Sequence, residues 1–402
     1  MKKVVIVGGG QAAASLAAKL RSEKFEGSIA MVSKEAHPPY QRPPLSKKYL
    51  LGEISLDRLY LRPLSFYEDQ EITLHLGKTV DLIDPAKKQV MFGDNSLEYD
   101  DLVLALGSEP RRLPKKIGGQ LGKVFTVRDL ADVDTLAPEF GERKRVLIIG
   151  GGYIGLEAAA VAAQRRLNVT LVEMANRILQ RVAAPQTSDY FRTLHASHGV
   201  EIKEGVNIVR LTGNNDIVSR AELSDGTMLE IDFAIVGVGI FPVIDIAKDA
   251  GLSISDGITV NALGQTSDPS IWAVGDCCSF PYKNGELRLE SVPHAIDQAE
   301  SVAQNIMGAN VDYVPQPWFW SDQYNVKLQI TGLNSGFDEV ITRLTNETSL
   351  SFWYYKANRL IAVDAMNDPR AYMVAKRLIE AGKTADASIV ANPLADLRGL
   401  LQ

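Results

Sequence analysis

A chain of 402 residues is longer than one core usually grows, so two or three domains are expected. Its 46% hydrophobic and 23% charged residues are ordinary for a globular protein, and a net charge of −6 argues against general nucleic-acid binding, which needs a basic field. The two cysteines, Cys277 and Cys278, are adjacent, which is neither a CxxC dithiol nor a disulfide framework, so any redox chemistry needs a cofactor.

The first twenty residues, "MKKVVIVGGGQAAASLAAKL", have the lysines, apolar stretch and small residues of a secretory leader. The pattern recurs inside the chain at 146–163 as "VLIIGGGYIGLEAAAVAA", where no cleaved leader belongs. A leader is therefore set aside and a cytoplasmic protein expected. No run of eighteen uninterrupted apolar residues occurs, so no membrane span is expected either.

Each copy of the pattern reads as strand, tight turn and helix: a β-branched run, a glycine triplet, then an alanine-rich segment. After the first copy comes a second strand, "SIAMVS", and then "PYQRPPLSK" at 39–47. Three prolines there predict a stiffened loop rather than a helix interior or central strand, yet the loop carries Arg42 and Lys47. From 73 to 107 the pattern is β-rich ("KTVDLID", "KQVMF", "DDLVLALG"). The second copy continues with "VTLVE", and "VEIKEGVNIVRL", "IVSRAEL" and "FAIVGVG" read as further strands. "SIWAVGD" predicts a buried strand ending at Gly275–Asp276, and "SVPHAIDQAESVAQNIM" a helix. From about 318 the chain turns aromatic-rich. "WFWSDQYNVKLQITGL" reads as strand, "SLSFWYYKANRLIAVDAMN" as an antiparallel hairpin and "PRAYMVAKRLIEAG" as a helix, which together predict a third, α+β domain.

Gly8-x-Gly10-x-x-Ala13, with Gln11 and Ala12 between, and Gly150-x-Gly152-x-x-Gly155 both fit the dinucleotide-binding fingerprint. The first glycine allows the tight turn, the second lets backbone approach a pyrophosphate, and the third position must be small for helix and strand to pack closely. The phosphates then lie at a helix N-terminus, where free N–H groups favour negative charge. Glu173 ends "VTLVE", eighteen residues after Gly155, and a carboxylate there accepts from ribose hydroxyls and repels a 2′-phosphate. The second copy is therefore expected to take NADH. In the first copy the strand is followed by Lys34 and then Glu35, and FAD is expected there.

With "PYQRPPLSK", "GGGYIGLEAAA", "AVGDC", "ESVP" and "PWFWSDQ" in place, the whole chain resembles the FAD-dependent, NADH-using ferredoxin reductases of the putidaredoxin reductase type. These serve bacterial cytochrome P450s and ring-hydroxylating dioxygenases. The resemblance implies an α/β fold of the glutathione-reductase kind, with two Rossmann-like dinucleotide-binding domains plus a C-terminal α+β domain. The FAD domain would span 1–114 and 255–317, the NADH domain 115–254 and the interface domain 318–402. It implies FAD contacts at Gly8, Gly10, Gln11, Ala12, Ala13, Glu35, Arg42, Lys47, Val80, Arg128, Gly275, Asp276 and Val292. NADH contacts would be Gly150, Gly152, Tyr153, Ile154, Gly155, Glu157, Glu173, Arg181 and, in "GVGIFP", Gly239. No metal site is expected. Lys34, where many relatives carry the acid, and Leu106, where a threonine is usual, depart from the pattern.

The implied reaction is hydride transfer from nicotinamide C4 to flavin N5, then two single-electron steps to a [2Fe–2S] ferredoxin. Lys47, paired with Glu157, is the expected cation beside the reduced flavin. Trp320 would shape the path by which electrons leave, with Trp318 a core aromatic on the same face. Arg62, Arg111, Arg112, Lys115 and Lys116 are the basic candidates for docking an acidic ferredoxin. Disulfide reductases and NADH peroxidases need a cysteine near the first glycine turn, and the first cysteine here is Cys277. A rubredoxin reductase and an apoptosis-inducing-factor-like NADH-binding flavoprotein stay open as alternatives.

Overall fold

In the computed structural model, residues 1–283 and 285–401 are described, and the chain divides into two compact units. Met1–Arg42, Ser55–Glu109 and Phe241–Pro317 form the first unit; Pro43–Ile54, Pro110–Ile240 and Trp318–Gln402 form the second. The last residue of the expected third domain, Gln402, lies outside the described residues.

The first unit is built on a five-stranded parallel sheet. Its order is Ile271–Ala273, Asp101–Leu104, Lys3–Val7, Ser28–Ser33 and Ile72–Leu76. Val4 to Val7 are all buried, as expected of a central strand covered on both faces. On one face the helix Gln11–Ser22 presses Ala13, Leu16, Ala17 and Leu20 into a core shared with Ala299, Val302 and Ala303 of the helix Val292–Ile306. Alanines let the helix lie close to the sheet, which places its N-terminus over the carboxyl end of Lys3–Val7.

The second unit repeats this plan with the strand order Glu201–Glu204, Asn168–Glu173, Arg145–Ile149, Phe233–Val236 and Val124–Phe125, all parallel. The helix Tyr153–Gln164 follows the central strand. The same unit holds an antiparallel sheet ordered Trp318–Gln323, Val326–Gly332, Arg359–Met366, Ser349–Lys356 and Glu339–Asn346. Its hairpin at 349–366 turns on Ala357 and Asn358, both with positive φ (46° and 59°), the geometry that matches strand twist in a two-residue turn. Trp353, Val363, Tyr372 and Leu378 close the core under the helix Pro369–Glu380. Arg343 donates to the carbonyls of Val390, Asn392, Pro393 and Ala395, tying the C-terminal segment to this sheet.

Three sequence expectations need correction. The proline loop contains a short 3-10 turn, Pro43–Ser46, because proline is tolerated in a first turn where its missing N–H would have no partner. "VEIKEGVNIVRL" is two strands, Glu201–Glu204 and Ile208–Asn214, broken at Gly205, whose φ of +69° leaves the β region. Of "KTVDLID" only Leu82–Asp84 is strand.

Candidate functional site

The two glycine turns carry the same geometry. A Cβ on Gly8 (φ +127°) would lie 2.1 Å from the carbonyl oxygen of Ala105, and one on Gly150 (φ +107°) 2.4 Å from that of Gly237. Only glycine fits either position. A Cβ on Gly10 or Gly152 would meet nothing within 4 Å, so each turn opens outward at the start of its helix. Neither helix has a side-chain cap, which leaves the first backbone N–H groups facing that opening. Open backbone, free N–H donors and a helix dipole suit a pyrophosphate.

The third fingerprint positions differ. Ala13 is fully buried in its helix, whereas a Cβ on Gly155 would stand 2.0 Å from the Gly150 carbonyl. The acids that follow differ too. Glu173 accepts from the N–H groups of Gly151 and Ala175, both at 2.7 Å, which fixes its carboxylate against the glycine turn. Glu35 is held by the Arg42 guanidinium at 2.5 Å and by the Tyr40 hydroxyl, with Arg42 lying 5.1 Å over the Tyr40 ring. The resemblance placed Arg42 among the FAD contacts; in the structure it is a counter-ion of Glu35. Lys34 pairs with Glu109 at 2.6 Å.

Elsewhere in the first unit, Asp276 follows the strand Ile271–Ala273 and accepts from Ser108 Oγ at 2.8 Å, and the Gly275 N–H donates to Gln298 at 2.8 Å. A Cβ on Gly275 would approach that of Ala12 to 3.3 Å, so the two small residues let neighbouring backbones meet. Gln11 donates to Ser15 one turn along its helix, Val80 is buried in the second core of the unit, and Val292 opens the helix capped by Ser291. The thiols of Cys277 and Cys278 are free and buried, and burial pushes that of Cys277 up to about 11, so neither is a thiolate at neutral pH.

The second unit holds Lys47, Arg128, Trp320 and the remaining nucleotide candidates. The Arg128 backbone N–H donates to Asp132. Ile154 and Arg181 are exposed. Gly239 (φ +104°) accepts from the Arg111 N–H and lies beside the Arg181 guanidinium. The ring of Tyr153 packs 4.9 Å from Phe319, and Trp320 lies 5.6 Å from Trp318, which covers the core beside Tyr372 and Lys376.

Lys47, partly exposed, forms an ion pair with the buried Glu157. The 3-10 turn places Lys47, whose N–H donates to the Pro44 carbonyl, and the ammonium reaches Glu157 Oε1 at 2.9 Å. Ser46 donates to Oε2 at 3.0 Å and Ser321 to Oε1 at 2.7 Å. Asp322 stands 3.7 Å from the ammonium. Burial pushes the Glu157 carboxyl above its ordinary value, against which the Lys47 charge and the two hydroxyls pull downward. Sequence reasoning named Lys47 and Glu157 but missed Ser46, Ser321, Asp322, Gln323 and His195. The first four lie inside the quoted "PLSK" and "WFWSDQ", while His195, on Pro185–Ser197, gave no signal.

Comparison with known proteins now adds a family. The model of the family "Pyridine nucleotide-disulphide oxidoreductase" matches residues 2–299, and that of "Reductase C-terminal" matches residues 318–401. The chain is 43% identical over 384 residues to ferredoxin--NAD(P)(+) reductase fdr of Sphingomonas sp, covering 94% of this chain and 92% of that protein. It is 38% identical over 384 residues to putidaredoxin reductase CamA of Pseudomonas putida, covering 94% and 91%. The crystal structure of the ferredoxin reductase for the CYP199A2 system from Rhodopseudomonas palustris superposes with a TM-score of 0.96 at 37% identity, over 100% of both chains. A covalent putidaredoxin reductase–putidaredoxin complex gives 0.95 at 36%, over 100% of this chain and 98% of that one. The chain belongs to the pyridine nucleotide-disulphide oxidoreductase family, in its putidaredoxin reductase-like branch, and is an oxidoreductase.

Proposed function

We propose that the protein is an NADH-dependent flavoprotein that reduces a [2Fe–2S] ferredoxin, which in turn supplies a cytochrome P450 or aromatic-ring dioxygenase in the cytoplasm. The observation that carries this is the pair of open, uncapped glycine turns on one chain with a reductase C-terminal region. Relatives matched over nearly the whole chain are named as ferredoxin and putidaredoxin reductases. Free, buried cysteines accord with a reducing compartment.

When bound, FAD accepts two electrons together as a hydride and releases them singly, the conversion a ferredoxin requires. The chain's own residues do the rest. The turn at Gly8–Ala13 would hold the FAD pyrophosphate, and Asp276, steadied by Ser108, would offer its carboxylate to the ribityl hydroxyls. Lys47 supplies a positive charge whose position is fixed by Glu157, and the turn at Gly150–Gly155 presents NADH. Trp320 borders the route by which electrons leave. In domain terms, 1–114 with 255–317 serve FAD, 115–254 serve NADH and 318–402 form the interface domain.

The test is cytochrome c reduction by NADH with and without a [2Fe–2S] ferredoxin and, separately, a rubredoxin. The rubredoxin arm is included because two relatives at 35% and 34% identity are rubredoxin reductases. Stimulation by ferredoxin is expected; equal turnover without any carrier would overturn the proposal. Glu173→Gln should reduce the preference for NADH over NADPH by about tenfold, since the carboxylate's repulsion of a 2′-phosphate is lost. The ratio of kcat/KM for the two nucleotides measures this.

A further inference from the structure

Beyond the ion pair, the Glu157 carboxylate terminates a chain of hydrogen bonds through fully buried side chains of the second unit. Ser321 and His195 have no exposed surface, and Gln323 is 1% exposed. Ser321 has one hydroxyl proton, and at 2.7 Å it is given to Glu157 Oε1. Its oxygen is then left to accept, which it does from the Gln323 amide N–H at 3.2 Å. That orients the amide, and its carbonyl oxygen faces His195 Nε2 at 2.8 Å. A carbonyl only accepts, so Nε2 carries the proton and Nδ1 is the acceptor. Nδ1 faces the Tyr324 hydroxyl at 3.2 Å, and the Tyr324 ring stacks on His198 at 3.7 Å. Every bond therefore donates in the same direction, from Tyr324 through His195, Gln323 and Ser321 to the carboxylate. Such aligned bonds polarise one another.

We propose that His195 and Gln323 are positioning residues that hold the Ser321 hydroxyl on Glu157, keeping that carboxylate ionised and aimed at Lys47. The proposal rests on the reading of Lys47 and Glu157 as part of the redox site. Glu157 needs such help because burial favours its neutral form, and a neutral Glu157 would release the Lys47 ammonium. The charged and titratable groups around the chain are few: Lys47 against Glu157, Asp322 against Lys47, and Tyr324 and His198 against His195. Burial pushes the His195 imidazole down to about 4, so it stays neutral and keeps its single N–H for Gln323 across the working range.

The test compares Gln323→Met, which cuts the chain, with His195→Phe, which removes its donor, and His195→Gln, whose amide can replace the Nε2–H. In the holoprotein, 13C NMR of labelled glutamate carboxyls, assigned with Glu157→Gln, follows the Glu157 titration directly. The midpoint should rise by about one pH unit, a tenfold change, in Gln323→Met and His195→Phe, and return toward wild type in His195→Gln. 15N NMR of wild type should show His195 protonated on Nε2. An unmoved Glu157 midpoint in folded Gln323→Met, or His195 protonated on Nδ1, overturns the inference. Stopped-flow flavin reduction by NADH separates it from the functional reading. If the carboxyl midpoint moves and the acid limb of hydride transfer follows it, both stand. If the carboxyl moves and the rate profile does not, the positioning stands and the role of Glu157 in the redox site falls.

Discussion

Glu157 and Asp364, two of the buried carboxylates of the second unit, are compensated in opposite ways. Glu157 lies against the Lys47 ammonium and two serine hydroxyls. Asp364, with no exposed surface, has among the described residues only hydroxyls: Thr187 at 2.7 Å and Tyr354, both on Oδ2, with no partner among them for Oδ1. Burial raises both groups, and for Asp364 the midpoint reaches about 6. A cation lets a buried acid stay ionised but makes the two charges depend on each other; hydroxyls alone leave the acid free to take up a proton. The first arrangement suits a site where charge must be fixed, the second a structural junction.

The comparison is broken most severely by removing the cation. Lys47→Met leaves Glu157 buried and unpaired, which should cost about 3–5 kcal/mol at pH 8. The sign follows from proton counting. In this variant Glu157 titrates higher when folded than when unfolded, so the folded state binds the extra proton between those two values. The deficit should therefore shrink as the pH falls through that window. Urea unfolding at pH 5 and pH 8 measures it, and the double variant Lys47→Met/Glu157→Gln should recover most of the loss. An equal deficit at both pH values would mean that Lys47 acts through packing.

Legibility in the sequence follows the same division. Glu157 and Lys47 were legible through the family resemblance, whose landmarks, a glycine-triplet helix and a proline-stiffened turn, contain them. Both parallel sheets were readable because a β-branched run, a tight glycine turn and an alanine helix are local signatures. Asp364 was invisible: it lies within a strand as one polar residue of "RLIAVDAMN", and its partner Thr187 is 177 positions away. His195 and Gln323, 128 positions apart, were hidden likewise. Glu35 shows the intermediate case. Its position after a strand was legible, but its capture by Arg42 depends on how the segment 36–42 folds back.

Asp364→Asn sharpens the contrast. The amide oxygen can still accept from Thr187 and Tyr354, while the charge is gone. In wild type the folded state holds a proton on Asp364 that the unfolded state releases between about 4 and about 6. Wild-type stability should therefore fall by about 3 kcal/mol as pH rises through that interval, and the variant should not share the fall. The difference between the two urea midpoints, taken at pH 4 and pH 7.5, isolates the group. The variant is expected to be the more stable at pH 7.5.

The smallest effects come from deleting one hydroxyl at each site. Thr187→Val keeps the shape of the side chain and removes one of only two donors to Asp364, so the ionised form loses about 2 kcal/mol. Ser321→Ala removes a donor from an oxygen that the Lys47 ammonium also reaches at 2.9 Å, and about 1 kcal/mol is expected. The two losses should also respond to pH differently. Below about 5 Asp364 is mostly protonated, its carboxyl needs less donation, and the cost of Thr187→Val should fall by half or more. Ser321→Ala should change less over the same range, because the Lys47 charge opposes protonation of Glu157. Equal costs at pH 7.5 with equal pH dependence would show that the cation at Glu157 does no more for that carboxylate than a second hydroxyl does for Asp364.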